Sequence, residues 1–335
     1  VFKVNMMDTQ KSIYTSTFGN INTYTIYVAA LLAISMILFT QEKNQKRMFW
    51  YYGNMILTSF ALIMGSSDNA YLSLAAIFGL APLWLFQTKT GLRRYVISLA
   101  TFFTVILCIN GINKAYAASV LGIDSAFNLI AGTKFLPVLV VLLWVIAVVL
   151  IFMNRKPQAL MNRTTDDSMN KIAVYIWIGV IAVVCLAVLF VLYDANLGGH
   201  ADKYGALSSY VVFNDEWGTQ RGYVWKRAME IYTKKLNLLQ KIFGYGPDTF
   251  ALIMQYYYPG EMQNGRMVIF DSAHNEYLHY LVTTGFVGMA SYLVFMVSSI
   301  VAMAKKIKEQ PIVAAVMMAV LAYAIQAVVN INLPI

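Results

Sequence analysis

The chain has 335 residues, of which 59% are hydrophobic, 14% aromatic and only 12% charged, with a formal net charge of +9. Such a composition excludes an ordinary soluble domain of this size and points to an all-α integral membrane protein. Four short gaps between apolar runs hold thirteen Lys/Arg against four Asp/Glu, which accounts for the whole positive excess. The basic character is therefore a topology signal and not a nucleic-acid patch.

A membrane span needs roughly 20 mainly apolar residues. In chain order the sequence predicts eight: Thr23–Phe39, Met48–Met64, Ala70–Gln87, Tyr95–Ile112, Phe135–Met153, Ile172–Tyr193, Leu278–Met303 and Ile312–Val329. The basic gaps are Gln41–Arg47, Thr88–Arg94, Asn154–Lys171 and Lys305–Gln310. Short loops rich in Lys and Arg stay in the cytoplasm, so the N-terminal end and the long polar stretch Asp194–Tyr277 are expected outside. This divides the chain into residues 1–193, with the first six helices, an extracytoplasmic helical loop over 194–277, and residues 278–335, with the last two helices. A first residue Val1 and a last stretch "NINLPI" suggest a fragment with further membrane helices on both sides. Cys108 and Cys185 fall inside spans and read as small buried hydrophobes. Asp68 in "GSSDNAY" reads as part of a polar turn that caps the next helix.

The outer stretch is where chemistry is expected, because the spans are nearly free of charge. Residues 214–244, "NDEWGTQRGYVWKRAMEIYTKKLNLLQKIFG", predict one amphipathic helix lying along the membrane surface. Val224, Ala228, Ile231, Leu238 and Ile242 recur near helical spacing, and Gly244 is its stop. Arg221 and Trp225, four residues apart, share a face. "GYGPDTF", Gly244 to Phe250, predicts a tight turn, with Asp248 capping the helix that Thr249 and Phe250 begin. "QYYYPGEMQNGRM" reads either as a lid or as aromatics at the lipid headgroup level.

"FDSAHNEYLHYLVTTGFVG", Phe270 to Gly288, then gathers titratable groups ahead of an apolar run. A helix starting near Ser272 places Asp271 at its cap, His274 in the first turn and Glu276 beside it. The positive end of the helix dipole disfavours a protonated imidazole, and a neutral histidine is what a general base requires. The residues alone leave His274 between two roles, catalytic base and interfacial histidine. His279, about 140° further round the helix, reads as a packing or interfacial residue. No close His or carboxylate pair suggests a metal.

Three motifs follow one another in this stretch: R-x-x-x-W (Arg221 to Trp225), G-x-G-P-x-x-F (Gly244 to Phe250) and D-x-x-H-N-x-x-L (Asp271 to Leu278). T-G-x-x-G, at Thr284, Gly285 and Gly288, comes next. Their order resembles the O-antigen ligase and O-antigen polymerase superfamily, and "TFGNINTY", Thr17 to Tyr24, resembles that superfamily's entry to an earlier span. The resemblance implies a multi-spanning helical bundle similar to the GT-C class. It implies a membrane glycosyltransferase that moves a glycan from an undecaprenyl-pyrophosphate donor to an acceptor hydroxyl, with inversion. The implied place is the outer face of the bacterial cytoplasmic membrane, with no cofactor and no metal. The implied partners are the lipid-linked glycan, an acceptor that is a glycan, a lipid or a wall polymer, and membrane lipid.

By the same resemblance His274 matches the catalytic histidine and Arg221 a pyrophosphate-binding arginine. Trp225, Asp248, Asp271, Asn275 and Glu276 then surround the substrate, Asp271 to orient the imidazole and Asp248 or Glu276 to hold sugar hydroxyls. One departure stands out: where many members carry a T-x-S-R-G-like stretch with a second Arg, this chain has Asp68. The competing reading is a lipid-linked glycan flippase or other polysaccharide transporter. Against it, the spans lack the buried charges and Gly/Pro-interrupted helix pairs that transport sites favour.

Overall fold

The structure is a computed structural model that describes residues 18, 20–120, 123, 125–153, 164–259, 270–307 and 309–330. Most of "QYYYPGEMQNGRM", part of "TFGNINTY" and most of the basic gap after Met153 lie outside the described residues. Every regular element among the described residues is helical. They form two compact units, Val1–Gly179 with Ile300–Gln326 and Val180–Ser299 with Ala327–Ile335.

The first unit begins with α1 (Ile21–Gln41), α2 (Gln45–Met64), α3 (Asn69–Leu80), α4 (Pro82–Leu85), α5 (Lys89–Ala115), α6 (Ser125–Ala131) and α7 (Leu136–Met153). Their starts follow local chemistry. Asn20, Asn44 and Thr88 accept first-turn N–H groups of α1, α2 and α5, satisfying donors that a helix start leaves without partners. Helix α1 is the centre of the unit: it packs against α2, α3, α5 and α15 (Pro311–Gln326) and buries Leu32, Ala33, Met36 and Ile37 completely. Arg94 donates to the carbonyls of Phe39, Thr40 and Glu42 at 3.0, 3.3 and 2.6 Å, closing the C-terminal end of α1, where a cation is favoured. Ser73 bonds to Gln326, and the indole N–H of Trp177 donates to the Gly79 carbonyl at 2.7 Å. Such polar contacts hold apolar helices together where burial of hydrocarbon gives no preference over lipid.

Helix α8 (Thr164–Asn196) leads into the loop, which holds α9 (Ser208–Val211), α10 (Trp217–Glu230), α11 (Leu238–Phe243) and α12 (Phe250–Tyr257). Helices α13 (Glu276–Thr283) and α14 (Gly285–Lys306) follow. Among the described residues, six helical segments are long and apolar enough to cross a membrane: α1, α5, α7, Lys171–Asn196 of α8, α14, and Pro311–Val329, which is α15 with its last turn. Helices α7, α8 and α14 leave their apolar side chains largely exposed, as at Val183, Leu186 and Phe190. Only a lipid surround makes that favourable. The chain is a multi-pass helical membrane protein.

Several expectations are corrected. The span predicted at Ala70–Gln87 is two short helices, α3 and α4, divided where Pro82 removes a backbone donor. The one predicted at Met48–Met64 does form a single 20-residue helix, α2, although Gln45, Lys46, Arg47 and Asn54 dilute its first half and leave it outside the six. The one predicted at Leu278–Met303 breaks at Thr284, and its spanning part is α14. Asp68 takes the N-cap position of α3 without a side-chain cap bond; its carbonyl accepts the Tyr71 N–H at 3.2 Å. Cys108 and Cys185 are exposed on their helices, because in a lipid-facing bundle the outer surface is apolar too.

Candidate functional site

The second unit contains every residue that the sequence singles out as catalytic or substrate-binding. The helix expected over 214–244 is broken twice. Gly218, Thr219 and Gln220 take left-handed backbone angles (φ 59, 62 and 71°), an unusual state for three residues in a row and a strained one for a β-branched threonine. After a π-type turn over Ile231–Lys235 the chain is extended at Leu236, and Asn237 starts α11 with a reciprocal capping box to Gln240. Val224, Ala228 and Ile231 are buried as their spacing predicts, whereas Leu238 is exposed, since the break at 236 resets the helical phase. Arg221 is left as the first residue of regular helix, with Trp225 one turn on.

Residues from α10, the turn that follows it, α12, α13 and the segment before α13 share one small core that includes Val224, Ala228, Ile231, Phe250, Ile253, Phe270, Ala273, Leu278 and Val282. The Trp225 indole N–H donates to the Ala273 carbonyl at 2.9 Å. This ties the arginine helix to the residue next to His274.

Two of the motifs meet backbone to backbone. The N–H groups of Tyr245 and Gly246 both donate to the Thr283 carbonyl at 2.8 Å. Gly244 and Gly285 face each other across that contact with φ 71 and 70°. A Cβ on Gly244 would overlap the Thr283 carbonyl, and one on Gly285 the Ile242 carbonyl. Glycine is needed at both positions for conformation and for closeness, and the turn thus fixes where α13 ends.

Helix α13 begins at Glu276, four residues later than the sequence suggests, with Asn275 as N-cap: its side-chain oxygen accepts the Leu278 N–H at 2.9 Å. His274 therefore precedes the helix. It sits in left-handed backbone (φ 48°), held by its own N–H donating to Ser272 Oγ at 3.2 Å. An amide-to-hydroxyl bond two residues back is a standard way to stabilise such a turn.

The electrostatics favour a neutral imidazole at this place. Burial lowers the pKa of His274 from its ordinary value of 6.5, and the Arg221 charge lowers it further, while Asp271 opposes both. The His274 Nδ1 is buried with no hydrogen-bond partner among the described residues, so one ring nitrogen has no competing protein contact. His279 stacks on Phe250 with centroids 5.4 Å apart. Its pKa is also lowered by burial, with Asp248 and Asp271 opposing.

The structure gathers Arg221, Trp225, Asp271, His274 and Asn275, while Asp248 comes close enough to act on His279. Asp248 does not cap α12; Thr249 holds the N-cap position, and Asp248 stands before it in left-handed backbone (φ 58°). Nor is Asp271 a cap, because α13 starts after Asn275. Glu276 is 1% exposed, a first-turn acid that suits the helix dipole; burial removes it from the groups able to reach sugar hydroxyls.

Two features escaped the sequence reading. Asp194 bonds His200 Nδ1 at 2.7 Å, Lys203 Nζ at 3.1 Å and the Tyr204 hydroxyl at 2.7 Å, pinning the loop's first residues to the end of α8. Phe213, Trp217 and Trp225 form an aromatic cluster, with the two indole centroids 5.2 Å apart. Neither has a periodic signature, so only the density of polar and aromatic residues over 194–217 could have flagged them. Among the described residues no three His, Cys, Asp or Glu side chains come together as a metal-binding group.

A comparison with curated proteins finds no match, and neither does one with solved structures. A sequence profile described as O-antigen ligase matches residues 117–293, just over half of the 335 residues. That range contains α10 with Arg221, the glycine contact and the His274 segment. The chain belongs to the O-antigen ligase family, multi-pass membrane proteins that carry out glycan transfer of the ligase or polymerase type.

Proposed function

We propose that the protein is an inverting, metal-independent glycosyltransferase that moves a glycan from an undecaprenyl-pyrophosphate donor to an acceptor hydroxyl at the extracytoplasmic face of the bacterial inner membrane. The observation that carries this reading is the joining of Arg221 to His274. One turn beyond the arginine, Trp225 bonds the residue before the histidine, and the arginine's charge helps keep that histidine neutral.

In the reaction, the acceptor oxygen attacks the anomeric carbon from the face opposite the leaving group. The bond from that carbon to the pyrophosphate oxygen breaks, and the electron pair departs with the lipid pyrophosphate. His274 takes the proton of the acceptor hydroxyl as the new bond forms. The Arg221 guanidinium suits phosphate oxygens and stabilises the charge that builds on them. Its place at the first turn of regular helix adds the positive end of the helix dipole. Asp271, which favours the protonated imidazole, lowers the cost of the proton's arrival. An apolar groove of about 470 Å³, lined among others by Trp225, Asn275, Leu278, Leu281 and Met289, suits the polyprenyl chain.

The test is glycan transfer from purified undecaprenyl-pyrophosphate donor in liposomes with a chelator present, across a panel of acceptors. Chelator-insensitive transfer that is lost in His274→Ala and in Arg221→Ala is the expected result. Transfer that persists in His274→Ala removes the histidine from the mechanism. Donor lipid crossing the bilayer without transfer, with His274 replaced, makes the protein a transporter.

A further inference from the structure

A second cleft in the same unit, of about 570 Å³, has a chemistry unlike that around Arg221. The residues that line it include Asp202 and Glu216, Ser208 and Ser209, Asn214 and Trp217. Among the described residues no Lys, Arg or His lines it, so its two carboxylates would repel a phosphate or pyrophosphate. The same set is suited to a neutral, hydroxyl-rich ligand. Carboxylates and an amide accept and donate several hydrogen bonds to vicinal hydroxyls, and an indole offers an apolar plane to the C–H face of a sugar ring.

The indole is held in place. Its N–H donates to the Tyr210 carbonyl at 2.9 Å, and its ring packs against Phe213 and Trp225 with centroids 5.6 and 5.2 Å away. The wall beside it turns at Asn214, whose side-chain oxygen accepts the Glu216 N–H at 3.0 Å. Trp225 in turn bonds the Ala273 carbonyl. The cleft is thus joined to the His274 segment through two indoles in contact.

We propose that this cleft is a carbohydrate subsite that holds sugars of the glycan substrate away from the reacting one, by hydrogen bonds to Asp202, Glu216 and Asn214 and by stacking on Trp217. The assignment rests on the glycan-transfer reading. It sorts the substrate by charge, with pyrophosphate at Arg221 and neutral sugars at the carboxylate-lined cleft.

The test uses the full chain in detergent micelles and a panel of neutral di- to tetrasaccharides of glucose, galactose and N-acetylglucosamine, followed by saturation-transfer NMR and titration. Binding is expected in the wild type and in His274→Ala, untouched by millimolar inorganic pyrophosphate. In the Asp202→Asn/Glu216→Gln double variant it weakens by about tenfold or more, the loss expected from charge-assisted hydrogen bonds. Wild-type protein that binds none of the panel, a double variant that binds as well as wild type, or displacement by pyrophosphate overturns the subsite. A second arm follows transfer kinetics in the double variant with donors and acceptors of increasing length. A KM that rises with acceptor length assigns the cleft to the acceptor, one that rises with donor length assigns it to the donor, and no length dependence in either overturns the proposal. Absence of any wild-type transfer sinks the functional reading instead, and the binding arm still decides the cleft.

Discussion

His274 carries the proton step of the proposed reaction, so its replacement is the sharpest experiment at the level of single residues. His274→Ala should cut transfer by roughly 10²–10⁴-fold, the worth of a positioned general base, with donor binding retained; a labelled-donor assay beside the kinetic one separates the two. Its pH dependence has a definite sign. Because burial and Arg221 lower its pKa below 6.5, the transfer rate should be level through neutral pH and fall only as the pH drops through that lowered value. Arg221→Gln removes one lowering cause, so the acid limb of its residual activity should move to higher pH. Asp271→Asn removes the opposing cause, so its limb should move lower. A pH profile of kcat/KM for the three proteins checks both directions, and a limb that stays fixed in each would detach those charges from His274. The same sign governs stability. His274 and His279 are both lowered in the folded chain, so their contribution is complete above 6.5 and declines as the pH falls toward the lowered values.

Among the elements, the contact between the glycine turn and the end of α13 decides where the histidine segment sits. Gly285→Ala adds a methyl against the Ile242 carbonyl at a residue with φ 70°. Strain and overpacking together should cost roughly 2–4 kcal/mol, read as a lowered melting temperature in detergent. Gly53→Ala, where nothing lies within 4 Å, is the control and should be neutral or slightly stabilising. Asn275→Ala should cost about 1 kcal/mol by loss of the α13 cap, and Asn275→Asp should retain most of it. If Asn275→Asp also keeps transfer while Asn275→Ala loses it, the cap and not a substrate contact is the residue's work. This element was partly legible in sequence. Gly244 stands out as a stop and the polar run from Asp271 to Glu276 as a start, but which of its residues becomes the cap depends on the strained turn at His274, which no spacing rule contains.

For the whole molecule, the testable quantity is how the helices lie in the bilayer. Leu186 is exposed midway along the spanning part of α8, so Leu186→Arg should make insertion less favourable by about 2.5–3.5 kcal/mol, seen as a shift of expressed protein out of the membrane fraction. Sidedness follows from charge. With a membrane-impermeant thiol reagent, cysteines placed at the exposed Thr90 and Glu309 should be labelled from the cytoplasmic side, and one placed at the exposed Asp202 from the other. Helices α2 and α3 both pack on α1 and come as a pair, so the side on which the later segments lie is the same whether both cross or neither does. Labelling of positions 202 and 309 from one side would overturn the topology.

Composition and patterning by themselves determined the class and the main spans, and set the polar stretch between α8 and α14 apart from them. A lipid surround demands long apolar helices and leaves polar residues few places to be, so these features are written residue by residue. The motifs brought Arg221, Trp225 and His274 to notice for the same reason: charged and amphipathic groups are conspicuous in such a chain. Only the tertiary structure decided that His274 stands before its helix and not within it, that Glu276 is buried, that Gly244 meets Gly285, and that Trp217 and Trp225 join two clefts. Each of these depends on contacts between segments distant in the chain or on backbone strain that packing offsets, and neither has a period that a sequence can display.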